Sequence, residues 1–247
     1  MIFGLIGKKL SHSFSKSFFE DKFTSLNLPH EYKLFEIDSA SAIHRIKEEN
    51  PNLIGLNVTI PFKQDVLQYL DDIDSAAREI GAVNTILFQL GKTKGFNTDV
   101  IGFEKSAFAF YPNEAKKKAL VLGTGGASKA VQYVLNQKGF EFVVVSRKGN
   151  GSIIAYDKLS QSIINEYNLI INTSPVGMYP ETSDMLPITN YNYTDNHYFF
   201  DLIYNPEKTA TAILLESKGV KVKSGLEMLY LQAEASWEIW SEAIASC

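Results

Sequence analysis

The stretch from Ala119 to Val145 constrains the fold most. Ala119 to Leu122 is an apolar strand, Gly123-Thr124-Gly125-Gly126-Ala127-Ser128 a glycine-rich turn, Lys129 to Lys138 a helix, and Phe142 to Val145 a second, wholly apolar strand. A strand, a helix and a strand in this order form a parallel β-α-β unit. Glycines in the turn let a pyrophosphate approach the backbone, and the helix N-terminus turns partial positive charge toward it. The spacing is G-x-G-G-A, not the usual G-x-G-x-x-G, so a plain tight turn stays open as the alternative. The second strand ends in Ser146-Arg147-Lys148, where a protein binding NAD presents an acid to the ribose diol. No carboxylate stands there. Two cations suit a 2'-phosphate, which favours NADP over NAD, against a merely solvated basic loop.

The first hundred residues repeat the β-α order. Ile2 to Gly7 reads as a strand. Ser11-His12-Ser13-Phe14-Ser15 then leads into a helix with Phe14, Phe18, Phe19 and Phe23 on one side, which Ser13 or Ser15 can cap. His30 to Ile37 alternates as a strand, Ala40 to Glu49 reads as a helix, and Leu53 to Val58 is apolar enough for a buried strand. This order predicts an α/β fold with a mostly parallel sheet covered on both faces. Pro61 stops the third strand, and Phe62 to Leu70 has helical spacing, which puts Thr59 at a strand end and Lys63 in the first turn of a helix. Ligand clefts lie at that edge of α/β sheets. The macrodipole disfavours a cation in a first turn, although a solvated surface lysine is the plain alternative.

Asp72 to Ile80 reads as a further helix ended by Gly81, and Val83 to Gln89 and Thr93 to Thr98 as a hairpin turning on Gly91-Lys92. That register places Asn84 opposite Asp99 at the open end of the ladder. There the two can face a ligand or simply cap neighbouring elements. Val100 to Phe110 reads as a helix ended by Tyr111-Pro112-Asn113. Further strands are expected at Asn168 to Ser174, His197 to Ile203 and Val220 to Val222, with a helix from Thr209 to Lys218. Gly225 opens a long terminal helix, Leu226 to Ile244, whose packed face carries Met228, Leu229, Leu231, Ala235 and Trp240, with Gln232 a polar position near its start.

Composition narrows the class. A formal net charge of -4, with no basic block beyond Lys116-Lys117-Lys118, argues against nucleic acid as a partner. The single cysteine, Cys247, allows no internal disulfide and no cysteine metal cluster, consistent with a reducing cytoplasm. The apolar start, Met1 to Gly7, is too short for a signal segment, and no run reaches membrane-spanning length.

Taken in order, several motifs resemble the shikimate dehydrogenase family over nearly the whole chain. They are Gly4-Leu5-Ile6-Gly7 with Ser11-His12-Ser13-Phe14-Ser15, Asn57-Val58-Thr59-Ile60-Pro61-Phe62-Lys63, Gly81-Ala82-Val83-Asn84-Thr85 and Asn97-Thr98-Asp99. The series continues with Gly123 to Ser128, Asp201-Leu202-Ile203-Tyr204-Asn205-Pro206, and Gly225 with Met228-Leu229 and Gln232. The resemblance implies an NADP-linked oxidoreductase that interconverts 3-dehydroshikimate and shikimate in aromatic amino-acid biosynthesis, as a monomer or homodimer. It implies a substrate domain over residues 1–99 completed by 226–247, and a Rossmann-like NADP domain over 100–225. Residues matching Ser13 and Ser15 bind the substrate carboxylate, joined by Thr59, Asn84, Tyr204 and Gln232, with Lys63 and Asp99 as the catalytic pair. Gly123, Thr124, Gly125, Gly126, Ala127, Ser146, Arg147, Lys148, Thr173, Leu202 and Gly225 make up the implied cofactor set, and no metal is implied.

Lys9 and Lys16 stand where the family commonly has proline, and Ser146-Arg147-Lys148 replaces an Asn-Arg-Thr type sequence. The chemistry of the residues agrees with the resemblance. Reducing a ring ketone needs hydride on one face and a proton at the oxygen; a lysine ammonium supplies the proton and steadies the charge, and a carboxylate orients it. An NAD-accepting quinate/shikimate dehydrogenase predicts an acid near Lys148, and none is adjacent. A nucleotide-binding regulator that has lost catalysis is disfavoured by the presence of both Lys63 and Asp99.

Overall fold

The computed structural model describes residues 1–10, 13–112 and 115–246. Ser11, His12, Asn113 and Cys247, which figured in the sequence reading, lie outside the described residues. The fold is α/β and falls into two compact units, Met1–Thr98 with Gln232–Cys247 and Asp99–Leu231. The second division falls inside the terminal helix, not at its start.

In the first unit the elements are β1 (Ile2–Gly7), α1 (Phe14–Ser25), β2 (Glu31–Glu36), α2 (Ala42–Glu49), β3 (Leu53–Val58), a 3-10 turn (Asp65–Tyr69), β4 (Asp72–Ile73), α3 (Ser75–Ile80), β5 (Thr85–Gln89) and β6 (Lys92–Phe96). The sheet order is β2-β1-β3-β5-β6-β4. β1 is parallel to β2 and β3, whereas β5 runs antiparallel to both β3 and β6. One face packs on Ile43, Ile46, Val66 and Ala77 from the helical segments, the other on the aromatic cluster of Phe3, Phe19, Phe23 and Trp240. Trp240 is fully buried, and its indole Nε1 donates to the Ile86 carbonyl at 3.0 Å. A Cβ on Gly55 would lie 2.3 Å from that ring, so the strand admits the indole only because residue 55 is glycine.

The second unit contains α4 (Asp99–Phe110), β7 (Lys118–Leu122), α5 (Gly126–Gln137), β8 (Glu141–Ser146), β9 (Ile153–Ala155), a 3-10 turn (Tyr156–Lys158), α6 (Gln161–Glu166), β10 (Leu169–Asn172), β11 (Tyr198–Asp201), α7 (Ala210–Ser217) and β12 (Lys221–Ser224). The terminal helix α8 (Leu226–Ala245) begins here. All strand pairs are parallel in the order β12-β11-β10-β7-β8-β9. Period-2 alternation is complete in β7. Ala119 and Val121 enter the core beside α4 and α5, Leu120 and Leu122 the core beside α6 and α7.

Three expectations are corrected. The hairpin turns on Leu90-Gly91, both at positive φ (53° and 74°), and not on Gly91-Lys92, so Gln89 pairs with Lys92 and Thr85 with Phe96. This is the twist that two-residue hairpins favour, and continuing the register sets Asn84 against Asn97. Asp99 instead opens α4. The helix expected over Phe62 to Leu70 is a turn followed by the 3-10 segment, so Lys63 does not sit in a helix's first turn. The helix expected from Asp72 starts only at Ser75, because Asp72–Ile73 pairs with β6 and Asp74 caps α3 by accepting from the Ala76 N–H at 3.0 Å.

Leu90 is 92% exposed in a left-handed conformation that L-residues with bulky side chains resist. Leu90→Asn is therefore expected to stabilise the first unit by about 0.5–1 kcal/mol. A rise in the urea midpoint with an unchanged slope checks this; a fall would mean that the turn does not resist leucine.

Candidate functional site

In the first unit the expected substrate residues gather where β1 and β3 end and β5 begins. The two parallel strands end side by side, and the Thr59 N–H donates to the Ile6 carbonyl at 3.0 Å. A Cβ on Gly7 would lie 2.7 Å from Thr59 Cγ2 and 2.5 Å from Leu10 Cδ2, so glycine lets both residues close on the strand end. Leu10 N–H donates to Glu36 Oε1 at 2.8 Å, which ties the outgoing chain to β2 before α1 begins. Ser13 caps α1, its Oγ accepting from the Lys16 N–H at 3.3 Å, and Ser15 lies in the first turn. The Lys63 carbonyl accepts from the Val83 N–H at 2.7 Å, fixing the turn that carries the half-buried lysine against the chain entering β5.

Asn84 is 3% exposed. Its Oδ1 accepts from the Thr98 N–H at 2.7 Å and from the hydroxyls of Thr85 and Thr98 at 3.1 and 3.2 Å. Three donors on one atom fix the amide, turning Nδ2 the other way. These threonines belong to a buried polar cluster that sequence reasoning missed. Asn57 Nδ2 donates to Ser236 Oγ at 3.0 Å, Tyr32 donates its hydroxyl to Asn57 Oδ1 at 2.8 Å, and Ser236 shares hydrogen bonds with Thr85 and Thr98. Ser236 Oγ also meets the Gln232 carbonyl at 3.0 Å, which holds the turn of α8 that bears Gln232. Burial pushes the Tyr32 phenol well above its ordinary range, with Ser15 opposing the shift. The available signal was an asparagine in the otherwise apolar strand Leu53–Val58, since buried polar groups need partners.

In the second unit the glycine turn lies at the end of β7. Gly123 holds φ 120°, and a Cβ there would lie 2.7 Å from Thr173 Oγ1. Thr173 in turn donates to the Leu122 carbonyl at 2.8 Å. Gly225 shows the tightest approach, since a Cβ would fall 2.1 Å from the Leu202 carbonyl oxygen. The expected cofactor residues Gly123, Thr173, Leu202 and Gly225 thus line the exits of β7, β10, β11 and β12, which are neighbours in the sheet. Gly125 is the N-cap of α5 with no side-chain cap, Gly126 begins that helix, and neither has an atom within 4 Å of a built Cβ. Thr124 is exposed and Ala127 half-buried on the same turn. Open backbone at the start of a twelve-residue helix can seat an anionic group.

Ser146 ends β8, and Arg147 and Lys148 follow it exposed. Burial pushes the nearby Tyr156 phenol up to about 12, with the Arg147 charge pulling the other way. Asp99 is 8% exposed at the start of α4. Tyr204 is 40% exposed just past β11. Asp201, which precedes the expected residues of that exit, was also missed as a site-shaping group. Among the described residues no group of three or more His, Cys, Asp or Glu is placed to hold a metal, and no helix is long and apolar enough to cross a membrane.

A parallel sheet whose glycine turn opens a helix, joined to a second α/β unit with a polar strand-end cluster, defines a two-unit α/β protein of the nucleotide-binding class. Residues 5–86 match the family model described as the shikimate dehydrogenase substrate binding domain. The chain is 38% identical to the shikimate dehydrogenase (NADP(+)) of Clostridium beijerinckii, over 97% of this chain and 92% of that one. It superposes with a TM-score of 0.85 and 30% identity on the shikimate 5-dehydrogenase of Thermus thermophilus, solved in complex with NADP(H) and shikimate, covering 98% of this chain and 94% of the other. Shikimate dehydrogenase 1 of Peptoclostridium difficile gives a TM-score of 0.81 and 36% identity, over 98% and 91% of the two chains. The chain belongs to the shikimate dehydrogenase family.

Gly225→Ala is expected to cost about 1–3 kcal/mol, since the Leu202 backbone must move. Gly126→Ala, in open space within a helix's first turn, is expected to be neutral or slightly stabilising. Denaturant unfolding of the two variants checks the contrast, and equal losses would show that the β11 exit yields freely to an added methyl.

Proposed function

We propose that the chain is an NADP-dependent shikimate dehydrogenase, an oxidoreductase that reversibly reduces the ring ketone of 3-dehydroshikimate to the CH–OH of shikimate. The observation that carries this reading is the match, along 97% of the chain, to a relative named for that activity and cofactor. The unit formed by Met1–Thr98 and Gln232–Cys247 is assigned to the substrate, and Asp99–Leu231 to the cofactor.

The residues fit NADP. Gly125 and Gly126 leave backbone open at the start of α5, and Arg147 and Lys148 stand exposed past β8 with no carboxylate between Ser146 and Tyr156. The turn from Gly123 to Ala127 would hold the pyrophosphate, Ser146, Arg147 and Lys148 the 2'-phosphate, and Thr173, Leu202 and Gly225 the nicotinamide end. When bound, NADP supplies or accepts the hydride.

The chain's own residues do the rest. Ser13 and Ser15 offer hydroxyls to the substrate carboxylate, while Thr59, Asn84, Tyr204 and Gln232 orient the ring. The Thr98 N–H holds Asn84 through Oδ1, so the group with which Asn84 would meet a substrate oxygen is the Nδ2 donor. Lys63 gives its proton to the ketone oxygen as the alkoxide develops, and Asp99 is the acidic member of the catalytic pair. The direct test is NADPH oxidation with 3-dehydroshikimate, run beside quinate with NAD; turnover only in the second pair would overturn the proposal.

Lys63→Ala is expected to lower kcat about a hundredfold or more with a smaller change in KM. Asp99→Asn should act in the same direction, and the double variant should lose less than the product of the two. A Lys63→Ala enzyme with near-normal kcat and a raised KM would assign the lysine to uniform binding instead.

Arg147→Ala is expected to weaken NADPH binding by about 1.5–3 kcal/mol while barely changing NADH. Titration of both cofactors against the variant checks this, and equal losses would show that Arg147 does not read the 2'-phosphate.

A further inference from the structure

Asp201 closes β11 at 1% exposure, in register with Asn172 on β10. Three donors converge on its carboxylate. Asn172 Nδ2 and the Ile203 N–H reach Oδ1 at 2.9 and 3.1 Å, and the Thr209 hydroxyl reaches Oδ2 at 2.7 Å. Burial pushes this carboxyl above its ordinary range while all three hydrogen bonds pull it down. An acceptor-only group suits three converging donors, but seating a carboxylate here is expensive compared with an apolar strand end.

The contacts lead to particular places. Asn172 accepts on its own Oδ1 from the Ser174 N–H at 3.0 Å and the Ser174 hydroxyl at 2.7 Å, which shapes the exit of β10 around Thr173. Ile203 lies between Leu202 and Tyr204 on the exit of β11. The two exits are joined again where the Tyr179 N–H meets the Asn205 carbonyl at 3.1 Å. The third arm runs elsewhere, to Thr209, which caps α7 by accepting from the Ala212 N–H at 3.2 Å.

We propose that Asp201 is a positioning residue: through Asn172 and the Ile203 N–H its carboxylate holds Thr173, Leu202 and Tyr204 where cofactor and substrate are met, a role that rests on the function proposed above. At 1% exposure the carboxylate is closed off behind its own three donors. Its two loop-directed hydrogen bonds set the exits of adjacent strands relative to each other, and the Thr209 arm anchors α7. Thr209 also turns Cβ and Cγ2 toward Gly177, 3.1 and 3.3 Å from a Cβ built there, and valine keeps both groups.

The test compares variants that each remove one arm. Asn172→Ala cuts the path to Ser174, Thr209→Val cuts the path to α7, and Asp201→Ala removes all three. Amide hydrogen exchange of peptides covering 173–179 and 202–206 is read together with Tm and the kinetic constants for NADP and shikimate. In Asn172→Ala, exchange in 173–179 is expected to rise at least tenfold, with a KM for NADP raised about tenfold and a smaller change in kcat. Thr209→Val is expected to lower Tm about as much as Asn172→Ala does, yet leave exchange in both segments and kcat/KM within about twofold. Asp201→Ala, where it folds, is expected to open both segments; if it does not fold, the other two variants decide the matter.

Loss of kcat/KM in proportion to loss of Tm in both Asn172→Ala and Thr209→Val would overturn the proposal, as would unchanged exchange in Asn172→Ala. Hydrogen exchange needs no substrate. A wild-type chain inactive with NADP and shikimate would therefore count against the proposed function, while exchange still decides whether Asp201 sets the loops.

Discussion

Parallel pairing delivers the end of every strand to one edge of a sheet, and this constraint organises both units. In the second unit it sets the exits of β7, β8, β10, β11 and β12 side by side. Backbone must then pass close to backbone, which is why Gly123 and Gly225 meet Thr173 and Leu202 at distances no side chain tolerates. In the first unit β1 and β3 bring Gly7 and Thr59 together by the same rule. β5 breaks the rule productively. Because it runs antiparallel to β3, its start lies at the edge where β3 ends, and the Val58 N–H donates to the Asn84 carbonyl at 2.8 Å.

Two buried polar groups stiffen these edges. The cluster around Ser236 ties β3, β5 and the turn after β6 to α8, and every member has a partner at 3.4 Å or less. Asp201 does the equivalent work between β10 and β11. Such networks are favourable only when fully satisfied, and removing one member leaves the others desolvated without a partner. A sheet edge assembled from several loops gains a single geometry in this way.

Much of this was legible in sequence. The short apolar runs at Ala119 to Leu122 and Phe142 to Val145 read as strands because glycines and a helical stretch separate them, and the glycines announced the turn. Pro61 correctly ended β3. The hairpin was displaced because Leu90 takes a left-handed turn position against its own preference, so local propensity pointed at the next dipeptide. Phe62 to Leu70 had helical spacing but folded as a turn and a 3-10 segment, where similar side-chain spacing meets a tighter backbone. The short elements β9 and α6 carry too few residues to show a period. Asn57 in an apolar strand announces that a partner is needed, but nothing local says that the partner is Ser236, 179 residues away.

The division inside α8 bears on how the chain comes to be folded during synthesis. Asp99–Leu231 is an uninterrupted segment, whereas the other unit lacks Gln232 onward until translation has passed through its neighbour. Until Trp240 leaves the ribosome, the sheet face over Gly55 has no indole to cover it, and Ile86 has no Nε1–H to receive. The segment that is started first is thus the one completed last, and the emerging chain carries an exposed apolar sheet face for the time needed to make well over a hundred residues.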